Sequence, residues 1–161
     1  MEYTKIDGYD VSKYTLGTVQ LGMEYGIANK AGKPDLTRSF DILKTAVNEG
    51  VNTFDTSLHY GESEKILGKF FFDKKNIAST VYKPVICTKF KVDVKERYLD
   101  AELEAGIEKI MRECVEASMQ NLKIDKIPID MLQDPKAIYK YGRIIARVMK
   151  KLKNENMMET A

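Results

Sequence analysis

A chain of 161 residues is long enough for one domain with a real hydrophobic core. Its 43% hydrophobic and 31% charged residues are ordinary for a globular protein, and a formal net charge of +2 excludes the concentrated basic face of a nucleic-acid binder. No apolar run approaches a membrane span, and MEYTKIDGYD lacks the apolar core of a secretory signal.

At the N-terminus, Asp7-Gly8 sits between two short alternating runs and predicts a tight hairpin. A strand is expected over Tyr14 to Leu21, YTLGTVQL, followed by the turn-rich GIANKAGKPDL. A helix starts near Asp35, with Leu36, Phe40, Leu43 and Val47 at helical spacing and Gly50 as its stop. Val51 to Thr56 reads as a short strand, and Ser63 to Phe72 as a helix with Ile66, Leu67 and Phe70 on one face. Lys74, Lys75 and Asn76 read as loop. The apolar run from Pro84 to Phe90, PVICTKF, reads as a strand buried on both faces.

A long helix follows over Asp100 to Leu122, with Leu103, Ile107, Ile110, Cys114 and Val115 in its apolar stripe. Ile127 to Leu132, IPIDML, is the next strand. The last helix covers Ala137 to Asn154, with Ile138, Tyr141, Ile145, Val148 and Leu152 on its core face. NENMMETA shows no strand pattern, so the chain is expected to stop after that helix. Past the hairpin, strand and helix alternate four times. That order means parallel strands with crossover helices, all within one domain over residues 1–161.

In parallel βα architectures, functional groups gather where strands end and helices begin. Asp55 ends the second strand, Tyr60 lies in the loop after it, and Lys89 ends the third. A phenol beside an ammonium gives up its proton more readily, because the cation favours the phenolate. A carboxylate keeps that ammonium charged and fixed. The three together suit proton delivery to a developing alkoxide. A surface Asp–Lys pair with a loop tyrosine packed over it is the competing reading of the same residues. Cys87 and Cys114 form no C-x-x-C pair and cannot build a zinc site with one histidine, so no metal centre is expected. Both thiols read as buried and inert, in a reducing, cytoplasmic setting. His59 reads as a partly exposed loop residue.

The sequence resembles the aldo-keto reductase family. The resemblance rests on LGTVQLG at 16–22, GVNTFDTSLHYGESEKILG at 50–68, CTKF at 87–90 and SMQNLKIDKIPID at 118–130. It implies a partial (β/α)8 TIM barrel of about four βα units preceded by a hairpin, with NADPH or NADH as cofactor and a small aldehyde or ketone as substrate. Residue by residue it implies Tyr60 as general acid, Lys89 as its tuner and Asp55 as the anchor of Lys89 and of the nicotinamide ribose side. Gly17 and Thr18 match positions lining the nicotinamide pocket.

Two departures stand out. Where the family pattern reads I-D-x-x-x-L-H-x-P, this chain has no histidine and reads Ile129-Asp130-Met131-Leu132-Gln133-Asp134-Pro135. The fourth strand is accordingly expected to be shortened, with Gln133 nearest the histidine's place. The chain also falls short of the ~200 residues that a closed barrel needs at least. Open edges on the first and fourth strands and an exposed apolar inner face are expected. Self-association or a complementary half-barrel would cover them. An NAD(P)H-dependent reductase and a catalytically inactive half-barrel or interaction module therefore both remain open.

Overall fold

A computed structural model describes residues 1–73, 83–94 and 100–160; the expected Lys74–Asn76 loop lies outside them. The chain begins with the hairpin that Asp7-Gly8 predicts. β1 (Tyr3–Ile6) and β2 (Tyr9–Ser12) pair antiparallel, and both turn residues have left-handed φ. The elements that follow are β3 (Thr15–Gly17), α1 (Val19–Gly22), α2 (Leu36–Asn48), β4 (Thr53–Asp55), α3 (Ser63–Phe71), β5 (Val85–Phe90), α4 (Asp100–Leu122), β6 (Ile127–Leu132), α5 (Lys136–Asn154) and β7 (Met158–Thr160). Strands β3 to β7 form one sheet in chain order, every neighbouring pair parallel. This is an α/β partial barrel.

Three expectations about the strands need correction. The first sheet strand stops at Gly17, and Val19–Gly22 turns into a short helix. Thr18 donates its N–H to Asp55 O and then accepts from Leu21 N, which ends the extended run. VQLG is too short for its periodicity to separate the two forms. Nor does the chain stop after α5. Asn156 takes φ +64°, Met157 N–H returns to Leu152 O, and the next three residues pair with β6, Ile127 facing Met158. Met158 is wholly buried, so one side chain anchors a strand too short to show a pattern. The outer strands are therefore β3 and β7, not β3 and β6. Finally, β6 is not shortened: it has six residues, as many as β5.

The helices pack on one face of the sheet. Leu43, Phe54, Leu67, Phe71 and Ile86 centre a cluster under β3 to β5, and Phe90, Ile107, Val115, Val148 and Leu152 centre a second one under β5 to β7. In α4 the stripe runs through Met111 as well as Ile107 and Val115. Two residues placed on core faces by periodicity are instead exposed: Leu36 at the start of α2, and Ile138, 55% exposed, at the start of α5, where Ala137 is buried instead. The expected apolar inner face is modest. Val85 and Cys87 are buried, Ile129 is half-buried, and Met131 is exposed.

The hairpin forms the floor. Ser12 N–H reaches Asn52 Oδ1 at 2.7 Å and Thr53 Oγ1 at 3.2 Å. At the other side Tyr9 bonds Glu159, Thr160 Oγ1 donates to Asp7 Oδ2 at 2.7 Å, and Lys153 stands 3.6 Å from the same oxygen. On the helix side of the sheet two carboxyls are buried together. Thr88 Oγ1 and Asn121 Nδ2 donate to Glu64 at 2.6 and 3.0 Å. Asp130, the register partner of Thr88, is 1% exposed, and its Oδ1 has no partner. Burial, then the Glu64 charge, pushes its carboxyl up to about 7.

Candidate active site

Parallel pairing puts Gly17 and Asp55, the last residues of β3 and β4, beside Cys87 in mid-β5, with Lys89 one pleat further along toward the end of β5. Lys89 Nζ lies 2.5 Å from Asp55 Oδ2 and donates to Thr56 O at 2.9 Å. Only 14% of the Lys89 side chain is exposed, so this pair is shielded more than a surface ion pair. The same ammonium stands over the Tyr60 ring, 5.1 Å from its centroid, within the ~6 Å range of a cation–π contact. One cation thus gathers the three residues that the sequence singled out.

Backbone contacts fix Tyr60. Its N–H bonds Ser57 O, and its carbonyl accepts from Ser63 N. Gly61 takes φ +58°, and a Cβ there would stand 2.4 Å from Gly22 O. A Cβ on Gly22 would stand 1.8 Å from Tyr60 O. The two glycines let α1 and the Tyr60 loop meet backbone to backbone. Behind them lies a buried hydroxyl cluster. Thr18 Oγ1 donates to Asp55 O at 2.8 Å and lies 2.7 Å from Ser63 Oγ, which also takes a bond from Thr56 Oγ1. Thr18 is fully buried and braces the end of β4 from behind. Gly17 is open: nothing lies within 4 Å of where its Cβ would be.

Gln133 follows β6 directly, held by its N–H to Phe90 O at 2.9 Å. Ser57 Oγ donates to Gln133 Oε1 at 2.7 Å and lies 3.2 Å from Lys89 O. Ser57 therefore ties the end of β6 to the rim. Sequence reasoning assigned no role to Ser57 or Gly22; their signal was no more than their place inside the two glycine-bearing motifs. His59 is exposed, and partial burial, then the Lys91 charge, lowers its affinity for a proton. Burial, then the Asp55 carboxylate, pushes the Cys87 thiol up to about 11, which leaves it protonated at neutral pH. A cleft of about 500 Å³ opens off the β3 side, lined by Leu16, Gly17, Gln20, Arg38 and Ile42 among others. It shares Gly17 with the rim but not Tyr60 or Lys89.

A parallel βα sheet with acid, lysine and tyrosine gathered at its carboxyl rim defines a partial βα barrel whose polar groups converge at the strand ends. The sequence model of the Aldo/keto reductase family matches residues 13–155, and the chain belongs to that family. Among solved structures it is similar to PA4992, a putative aldo-keto reductase from Pseudomonas aeruginosa, at 24% identity and a TM-score of 0.70. That match covers 94% of this chain and 55% of the other. It is also similar to the aldo-keto reductase AKR11C1 from Bacillus halodurans in its holo form, at 20% identity and a TM-score of 0.63, covering 94% and 45%. A third is the glycerol dehydrogenase AKR11B4 from Gluconobacter oxydans, at 23% identity and a TM-score of 0.66, covering 98% and 45%. The chain thus spans about half the length of the structures it matches. Among the described residues no helix is long and apolar enough to cross a membrane.

Proposed function

We propose that this chain carries the proton-handling rim of an NAD(P)H-dependent reductase acting on a small aldehyde or ketone. The observation that supports it most is the Lys89 ammonium, bonded to Asp55 at 2.5 Å and poised over the Tyr60 ring. When bound, NAD(P)H supplies the hydride. Tyr60 gives its phenolic proton to the carbonyl oxygen as negative charge develops there. Lys89 then stabilises the negative charge left on the phenol, and Asp55 keeps Lys89 in place. Gln133 accepts from Ser57 at Oε1, which leaves its amide N–H groups to donate to the carbonyl oxygen.

The residues fit the nicotinamide end of the cofactor. Gly17 leaves open space beside the Asp55 carboxylate, where a flat ring can approach, and Thr18 holds that strand end from behind. A reducing, cytoplasmic setting belongs to the same reading, in keeping with two free thiols.

The test has two parts. Titration with NADPH, followed by nicotinamide fluorescence, reports cofactor binding; no change at millimolar protein sinks it for this chain alone. Carbonyl reduction by wild type and Tyr60→Phe then reports the acid, with a loss of roughly 100-fold or more expected. Equal residual rates favour the second reading, a catalytically inactive module that associates through its sheet edges. Gln133 in the histidine's place is the observation on that side.

A further inference from the structure

We infer that Glu64 and Asp130 form a proton-dependent latch behind the rim: with one proton held there the Tyr60 loop stays docked, and when the proton leaves, the first turn of α3 loosens and carries that loop with it. The inference stands on the fold and not on the chemistry proposed above.

The first observation is where the cluster sits in the chain. Three segments build the rim, and each also puts one polar residue on the helix side of the sheet. Glu64 follows Tyr60 by four residues, Thr88 immediately precedes Lys89, and Asp130 comes three before Gln133. Side chains alternate along a strand, so Thr88 faces the helices while Lys89 faces the rim. Thr88 is the register partner of Asp130, and it donates to Glu64 Oε1, while Asn121 of α4 donates to Oε2. One buried cluster thus joins α3, β5, β6 and α4 directly behind Tyr60 and Lys89.

The second observation is charge. Glu64 is 2% exposed and Asp130 1%. Both partners of Glu64 are neutral, and Asp130 Oδ1 has no partner. Lys89 points to the opposite face and pairs with Asp55. Among the described residues no group of three acidic, cysteine or histidine side chains could hold a metal ion. Two buried carboxylates without a cation repel each other and lose their hydration, and a single proton relieves the second charge. It belongs on Asp130, because both Glu64 oxygens already accept donors. Burial, then the Glu64 charge, lifts Asp130 to about 7, so that proton is exchanged within the neutral range.

The other titratable groups that meet the pair are Cys87 from β5, Cys114 from α4 and His59 from the Tyr60 loop. Burial is the first cause that raises both thiols, Cys87 to about 11, and they stay protonated at neutral pH. His59 is exposed, and burial, then Lys91, lowers its affinity for a proton, so it is the group to control for.

The third observation is which part can give. β5 and β6 have paired strands on both sides. The start of α3 has no such frame, and its N-cap, Glu62, makes no side-chain capping bond. That turn is held by Ser63 Oγ against Thr18 and Thr56, by Glu62 N–H on Gly22 O, and by Glu64. Ser63 N–H in turn holds Tyr60 O. Opening the turn admits water to both carboxyls, where Asp130 ionises at its ordinary value of about 4. Loss of the proton therefore favours the open turn, and low pH favours the docked one.

The test measures 15N relaxation dispersion on the full 161-residue chain at pH 6 and pH 8, a method that sees μs–ms opening. Exchange broadening at Tyr60, Gly61 and Ser63 should rise at least about three-fold at pH 8, with little change at Ile145 and Val148 of α5. Asp130→Asn, a neutral isostere, should keep the pH 6 pattern at both pH values, whereas His59→Gln should respond as wild type does. A flat profile overturns the latch, as does an equal rise in α5, which would mean opening of the whole domain. So does a wild-type response in Asp130→Asn, or its loss in His59→Gln. Should Asp130→Asn not fold, carboxyl-carbon titration of the wild type decides: the Asp130 carboxyl and the Tyr60 amide must share one midpoint, and separate midpoints overturn the latch. Loss of NADPH binding or of Tyr60 dependence leaves it standing.

Discussion

The rim and the flanks of this sheet are built on opposite terms. At the rim, nearly every polar group near Tyr60 is answered from within the chain: Lys89 by Asp55 and Thr56, Gln133 by Ser57 and Phe90, Thr18 by Asp55 and Ser63. At the flanks, β3 and β7 have a neighbour on one side only among the described residues, and exposed side chains there include Ile42 and Ile138. The difference shows that positioning of the rim groups is a local property of two or three βα units, whereas lateral closure is a property of the whole barrel.

The comparison breaks most sharply at Gly22. Gly22→Ala drives a Cβ into Tyr60 O, with no flexible side chain to move aside. A loss of about 3 kcal/mol is expected, the upper range for overpacking. Thermal unfolding checks it, and an unchanged midpoint would show that α1 and the Tyr60 loop are not locked together.

A smaller effect separates the rim from the buried acids beneath it. The Asp130 carboxyl binds its proton more tightly folded than unfolded, so it contributes stability below pH ~4 that is lost as pH rises through about 7. Asp130→Asn should flatten that decline and raise stability at pH 8 by roughly 2–3 kcal/mol. Urea unfolding at pH 5 and pH 8 measures it. Equal pH slopes in mutant and wild type would place the dependence elsewhere.

The smallest effect sharpens the description of the flank. Tyr9→Phe removes the hairpin's bond to Glu159, at a cost of about 1 kcal/mol. Burial, then Glu159, raises the Tyr9 phenol's affinity for its proton, so that bond persists across the neutral range. Hydrogen exchange should quicken at β7 and leave the Tyr60 loop unchanged. Equal quickening at both would mean that floor and rim are coupled.

Much of the fold was legible because periodicity and turn chemistry are local. The hairpin, α2, α3, α4 and β5 follow from patterns within windows of a few residues. Helix ends show where that legibility stops. After α2, α4 and α5 the chain turns alike, with Gly50, Lys123 and Asn156 in left-handed φ and the following N–H returning five residues back. Gly50 announced its stop. Lys123 and Asn156 did not, and the strand after Asn156 went unseen.

By itself the sequence determined the order of βα units, the family and the choice of Asp55, Tyr60 and Lys89, since motif spacing survives whatever surrounds it. Tertiary structure alone decided that one ammonium serves both the carboxylate and the ring, that Ser57 draws Gln133 to the rim, and that β7 makes a fifth strand. Each depends on contacts between residues tens of positions apart, and such contacts exist only once parallel strands have found their register.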